Sequence, residues 1–260
     1  MINLIKKISL IYYLIFPNIF GLGYNQYKYY LIKKKIFSNK KNLNIRKYVD
    51  ERLVELPWVI KKLRRINNKN ILDVGCTLNF NYLINIFLKK NKLFFINIFK
   101  EKNNFSSNQI SYILNDIRKP FFKENYFDCI TAISVIEHIG FDNKMYNHTK
   151  IKYKENKNRN YKDAIIEIKR ILKQGGKFYL TVPFGKKQIF ENYMQFDIKE
   201  IKKLIKIFKP SKYSMEFYRF EYLKKIWKKT NQSNCKNIKA ISNGKKGICS
   251  NSVALIEFTK

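Results

Sequence analysis

Acidic residues are scarce in this chain: 19 Asp and Glu stand against 53 Lys and Arg, a formal charge of +34. A surface so basic attracts anions, whether nucleic acid, anionic lipid or phosphorylated substrates. Arginine is scarce as well, confined to Arg46, Arg52, Arg64, Arg65, Arg118, Arg159, Arg170 and Arg219. Arginine is the cation that reads base edges and grips phosphate in bidentate fashion. The excess is therefore lysine, and it comes with Ile, Asn, Tyr and Phe, the residues that A/T-rich codons specify. We read it as codon bias rather than a dedicated nucleic-acid surface, and expect no specific nucleic-acid partner. Cysteine is limited to Cys76, Cys129, Cys235 and Cys249, with no C-x-x-C pair and no grouping with His138 or His148. No metal centre is expected. Cys235 and Cys249 could pair, but nothing calls for an oxidising compartment, so reduced thiols in the cytoplasm are the expectation. The dinucleotide fingerprint G-x-G-x-x-G is missing, since Cys76, Thr77 and Asn79 stand where further glycines belong after Gly75. This argues against NAD and a P-loop but not against a nucleoside-type ligand. Long apolar runs are missing too. Residues 8–16 are apolar but stop at Pro17-Asn18, short of the roughly 20 residues a spanning helix needs. No small-residue cleavage site follows Lys6-Lys7. This segment is expected to pack on the domain, with peripheral membrane contact through residues 8–20 as the alternative.

What is present is a globular composition, 45% hydrophobic and 16% aromatic over 260 residues, enough for one large domain with a substantial core. The chain is organised around residues 70–80, NILDVGCTLNF. Ile71-Leu72 opens a buried strand, Asp73 ends it, Val74-Gly75-Cys76 turns, and a helix follows from Leu78. Open α/β sheets build ligand sites this way, with the ligand beyond the strand's carboxyl end against backbone N–H groups. Gly75 lets backbone approach closely because it has no Cβ and tolerates positive φ. The plain alternative is an ordinary strand-to-turn junction.

Before this stretch, residues 48–66 have apolar positions at helical spacing, Leu53, Leu56, Ile60 and Leu63, and Pro57 is expected to kink or divide that helix. After it, residues 78–90 read as a crossover helix and 92–98 as a second parallel strand. Nucleotide folds often end that strand on an acid for a ribose diol; here Asn97 stands there, with Glu101 further on. Residues 110–114 are a third strand, followed by Asn115-Asp116-Ile117. The near-continuous apolar run 129–133 reads as a central strand buried on both faces, with Ser134 to Ile139 just past its end. Residues 141–161 read as a loop or lid, 163–173 as a helix stopped by Gly175-Gly176, and 177–182 as a fifth strand. A helix over 197–208 and strands over 213–220 and 252–259 complete the pattern. Residues 221–251 are a basic stretch with no element assigned.

Taken together, ILDVGC, NDI, YFDCITAISVIEHIG and ILKQGGKFYLTVPFG, in that order and spacing, resemble a class I S-adenosylmethionine-dependent methyltransferase over residues 70–185. The resemblance is to the methyltransferase-11 branch with an EH…LKPGG…TVP signature, of the kind found in surface-polysaccharide biosynthesis. Departures are Thr77 and Asn79 for later glycines, Asn97 for the ribose acid and Gln174 for a proline. The resemblance implies a Rossmann-like, doubly wound α/β fold, with a mostly parallel seven-stranded sheet, helices on both faces and an antiparallel strand near the C-terminus. It divides the chain into an N-terminal helical, aromatic segment (1–66) and a methyltransferase domain (67–260), whose residues 67–185 bind the cofactor and 186–260 face the acceptor. Asp73, Gly75 and Cys76 would then line the methionine end of S-adenosyl-L-methionine, Asn97 the ribose, Asp116 and Ile117 the adenine, and Ser134 the mouth under the sulfonium. His138 is the first candidate for a general base, with Tyr193 and His148 behind it; alternatively, Glu137-His138 merely orients a helix start. The implied activity is methyl transfer, chiefly to oxygen, on a small-molecule, nucleotide-sugar or glycan acceptor. The rival readings are an RNA methyltransferase and a non-catalytic binding protein on the same fold. A cytoplasmic protein, peripheral at the inner membrane face if residues 8–20 attach there, completes the expectation.

Overall fold

The computed structural model describes residues 21–37, 50–85, 90–146, 161–243 and 246–260. Helices α1 (Gly21–Phe37) and α2 (Arg52–Leu63) precede strand β1 (Asn70–Val74) and a short helix α3 (Asn81–Leu83). Strands β2 (Lys92–Asn97), β3 (Ile110–Leu114) and β4 (Phe127–Ile133) follow, then α4 (Tyr161–Ile171) and β5 (Leu172–Pro183). A small hairpin, β6 (Gln188–Ile189) and β7 (Met194–Gln195), leads to α5 (Ile198–Phe208). The remainder is β8 (Lys212–Glu221), β9 (Ile226–Thr230), the ribbon β10 (Ile241–Asn243) and β11 (Lys246–Cys249), and β12 (Ser252–Thr259).

The main sheet runs β3-β2-β1-β4-β5-β12-β8-β9. β1 to β5 are mutually parallel, while β12 is antiparallel to both β5 and β8. The direction of strand order reverses between β1 and β4, and a crevice opens there at the carboxyl ends, where such sheets bind ligands. Side chains alternate between faces along each strand. Leu72, Ile130, Phe178 and Leu180 pack against α4 and α5, whereas Ile71, Cys129, Ile133 and Tyr179 pack against α1 and α2. Among the described residues, the thiols of Cys76, Cys129 and Cys235 are free and buried. No described helix is long and apolar enough to cross a membrane.

The sheet has eight strands where seven are expected. The extra one, β9, lies in the basic stretch without an assigned element and pairs only with β8. Its lysines hide the pattern: Trp227 alone is fully buried, while Lys228 and Lys229 are exposed, as befits an edge strand. Pro57 sits inside α2 without dividing it. The proline removes one backbone hydrogen bond, but Leu53, Leu56, Val59, Ile60 and Leu63 are all buried on one face and hold the helix across it. The helix expected from Leu78 begins only at Asn81, because Leu78 belongs to the turn that Asp73 ties down. Its continuation over 86–89, the apolar segment 8–20 and most of the 141–161 loop lie outside the described residues.

Candidate active site

A cavity of about 420 Å³ opens over the carboxyl ends of β1 to β4. Its walls come from the bend after β1 (Gly75, Thr77), the segment Ile96–Asn103 after β2, Asn115–Arg118 after β3, and Ser134, Val135 and His138 after β4. Arg52 of α2 and Tyr146 complete it. The bend is tightly specified. Gly75 has φ +81°, and a Cβ there would overlap Val135 Cγ2 and stand 3.1 Å from Cγ1. Its N–H donates to Ile96 O at 2.8 Å. Asp73 lies beneath the bend rather than on the cavity wall. One carboxylate oxygen accepts the Leu78 N–H at 2.7 Å and the other the Thr131 hydroxyl at 2.6 Å. Burial pushes its pKa up to about 7, against the opposing pull of those two hydrogen bonds. Cys76 is likewise buried beside the bend, its thiol pKa raised by burial.

Thr77 and Asn79, at positions where further glycines are expected, both anchor loops. The Thr77 hydroxyl donates to Ile133 O at 3.1 Å, fastening the bend to β4. Asn79, only 3% exposed, donates from Nδ2 to Asn103 O at 2.9 Å and to Glu101 Oε2 at 3.3 Å. Its Oδ1 accepts the Tyr112 hydroxyl at 2.9 Å. Asn97, at the tip of β2, donates from Nδ2 to Glu101 Oε1 at 2.7 Å. After β3, the Asp116 carboxylate is paired with Arg118, with Nη2 to Oδ2 at 2.6 Å, and Ile117 is buried in the cavity wall.

On the other side, α2 is bolted to the strand tips. Glu55 is fully buried. Its Oε1 accepts the Ser134 and Thr181 hydroxyls, each at 2.6 Å, and its Oε2 accepts Arg52 Nη1 at 2.7 Å. The same Nη1 donates to Ile133 O at 2.9 Å. Burial opposes the charge on Arg52, but Glu55, Glu51, Asp50 and Glu137 outweigh it and hold the guanidinium firmly cationic. Ser134 takes φ +47°, and its N–H donates to Thr181 O at 3.1 Å. His138 sits in a 3₁₀ turn, Ile136–His138, with Nδ1 2.7 Å from Asn192 O. A carbonyl can only accept, so Nδ1 carries the proton and Nε2 keeps a lone pair. Burial lowers the imidazole pKa to about 4, the Asn192 contact opposing it and Arg52 adding to it. The rings of Tyr146 and Tyr193 flank it at 5.3 and 5.7 Å.

Residues 72–180 match the methyltransferase domain family, over the strands that build this cavity. Outside the family match, an uncharacterized protein of Methanocaldococcus jannaschii is 26% identical over 154 residues, 57% of this chain and 58% of that protein. The chain thus spans little more than half the length of that relative. Among solved structures, 1,6-didemethyltoxoflavin-N1-methyltransferase of Burkholderia thailandensis, with S-adenosylhomocysteine bound, is 10% identical at TM-score 0.48, covering 80% of this chain and 79% of its own. The N-methyltransferase NodS of Bradyrhizobium japonicum is 12% identical at TM-score 0.44, covering 90% and 98%. Phosphoethanolamine N-methyltransferase 2 of Haemonchus contortus is 17% identical at TM-score 0.45, covering 75% and 43%.

The strand ends bring Gly75, Asn97, Asp116, Ile117, Ser134 and His138 to one cavity wall, and keep Asp73 and Cys76 behind it. Tyr193 is buried against His138; His148 lies outside the described residues. Sequence reading passed over Arg52, Glu55 and Thr181. The available signal was an acid, Glu55, set beside the apolar stripe of a helix.

The position of Asp73 gives a pH test. The native carboxyl keeps its proton up to about pH 7, whereas an unfolded Asp releases it near 3.9. The native state therefore binds more protons across that interval, and this group's contribution to stability falls as pH rises, by at most about 1.4 kcal/mol per unit. In Asp73→Asn the amide can accept from Leu78 and donate to Thr131 without titrating. Its urea midpoint, compared with wild type, is expected to improve steadily from pH 4 to 7; a constant difference would show that Asp73 titrates normally.

Proposed function

We propose that this chain binds S-adenosylmethionine in the crevice over β1 to β4 and methylates a hydroxyl of a small-molecule or glycan acceptor. The observation that carries this reading is the glycine bend: it is backed by Val135, has no room for a Cβ, and opens on a cavity walled by four strand tips. The residues present fit the donor. The bend admits close backbone approach, Ile117 offers an apolar wall for a purine, and the Arg52 guanidinium suits a carboxylate at the amino-acid end. When bound, the donor supplies a methyl carbon on a positively charged sulfur, open to attack from the side opposite that sulfur.

The chain's own contribution is placement, which is where most of the acceleration of such a transfer arises. Glu55 holds Ser134 and Arg52 in fixed positions at the β4 end of the cavity. His138, fixed as the Nδ1–H tautomer by Asn192, offers Nε2 to the acceptor hydroxyl and takes its proton as the oxygen is alkylated. Its low pKa means that the accepting form is fully present at neutrality and disappears only as pH falls through about 4.

Calorimetry with S-adenosylmethionine and S-adenosylhomocysteine tests the donor, and absence of binding would refute the reading. For the acceptor, a labelled-methyl transfer screen against cell extracts identifies the substrate. With that substrate, kcat is expected to be flat from pH 6 to 8 and to fall below about pH 5. His138→Gln should lose roughly 10²-fold or more in kcat. A limb near pH 6.5 would show that a different group titrates.

A further inference from the structure

We infer that Glu101, rather than the residue at the tip of β2, receives the ribose diol of the bound nucleoside. This assignment rests on the proposed donor and extends it to a position four residues beyond the expected one. A fold of this kind places an acid at the end of its second strand because a carboxylate can accept from vicinal hydroxyls. Here that position holds Asn97, a neutral group whose Nδ2 already donates to Glu101 Oε1 at 2.7 Å. Glu101 lines the same cavity and brings the missing negative charge to it.

Its geometry is that of a prepared acceptor. Asn97 donates to one carboxylate oxygen and Asn79 approaches the other at 3.3 Å. A carboxylate has about four lone-pair sites. Two amides and the weakly donating Cys76 thiol share these sites, and the charged carboxylate keeps accepting capacity for a ribose hydroxyl. Asn79 is itself fixed by Asn103 O and the Tyr112 hydroxyl, and that hydroxyl accepts the Phe105 N–H at 3.1 Å. The loop carrying Glu101 is thus pinned on both sides. This gives Asn79 a purpose at a position where a glycine is expected: its amide positions the displaced acid. Hydrogen bonds to an ionised acceptor are roughly twice as strong as neutral ones, so an amide at position 101 cannot replace it.

The test is calorimetry on the full chain with S-adenosylhomocysteine and its 2′-deoxy and 3′-deoxy analogues. Wild type is expected to bind each deoxy analogue roughly 10- to 100-fold more weakly than the parent. Glu101→Gln should bind the parent weakly by a similar factor and no longer distinguish it from the analogues. That ratio is independent of the fraction of folded variant, so partial misfolding does not obscure it. Undiminished discrimination in Glu101→Gln, or none in wild type, overturns the assignment alone. Failure of wild type to bind S-adenosylhomocysteine at all overturns the donor reading and this assignment with it.

Discussion

Gly75→Ala is expected to eliminate measurable donor binding and to destabilise the fold by about 2–5 kcal/mol. Two costs combine. A Cβ at φ +81° is strained in any L-residue, by about 1–2 kcal/mol. The same Cβ collides with Val135, and forcing an extra methyl into packed surroundings costs about 1–3 kcal/mol more. Relief would come from moving either the bend or Val135, and both line the cavity. The two costs can be separated. Adding Val135→Ala to Gly75→Ala removes the obstructing methyls but not the backbone strain, so the double variant should recover about half of the lost stability. Chemical denaturation measures this, and calorimetry with S-adenosylhomocysteine reads the binding. A Gly75→Ala chain as stable as wild type would mean that the bend is not as tight as described.

Glu55→Ala should be at least as damaging, by about 3–5 kcal/mol. It leaves the Arg52 guanidinium without its main counter-charge and strips the Ser134 and Thr181 hydroxyls of their acceptor. Removing one member of a buried ionic group is far more costly than never having built it. Glu55→Gln should fall between, since one amide oxygen remains to accept. The effect has a local reporter. Trp58, on the same helix, donates to Glu216 Oε1 at 3.1 Å and meets Tyr179 edge-on. If α2 loosens, Trp58 emission shifts to the red before global unfolding. Added salt should not reproduce the change, because a buried pair is poorly screened. An unchanged denaturation midpoint in Glu55→Ala would show that α2 docks by its apolar face alone.

What could be read along the chain was whatever neighbouring residues determine. β3 and β12 fall where their apolar runs place them, and β2 differs by one residue at its end. The antiparallel last strand was expected from the family resemblance, not from any local pattern. Contacts between distant segments were not legible. Glu55 finds Ser134 and Thr181 at separations of 79 and 126 residues, and a helix read alone gives no hint of either. The family resemblance placed Asp73 at the methionine end of the cofactor. The fold turns it inward, because its β1 register faces Thr131 and Leu78 N–H lies within reach. Pro57 was weighed as a helix breaker from its backbone chemistry, which is correct locally but outmatched by five buried side chains on one face. Lysine obscured β9, since a charged edge strand and a charged loop share a composition.

The insertion of β12 between β5 and β8 has a consequence for how the molecule is made. β8 and β9 form a hairpin whose backbone pairs with the parallel half of the sheet through β12, a strand synthesised later. Until that strand arrives, one flank of the nascent hairpin and the outer flank of β5 both present unpaired N–H and C=O groups beside apolar side chains, the state from which chains pair wrongly with one another. Docking of a single segment then seals both flanks at once, so the final step of maturation is expected to be slow, cooperative and the moment of greatest need for a chaperone.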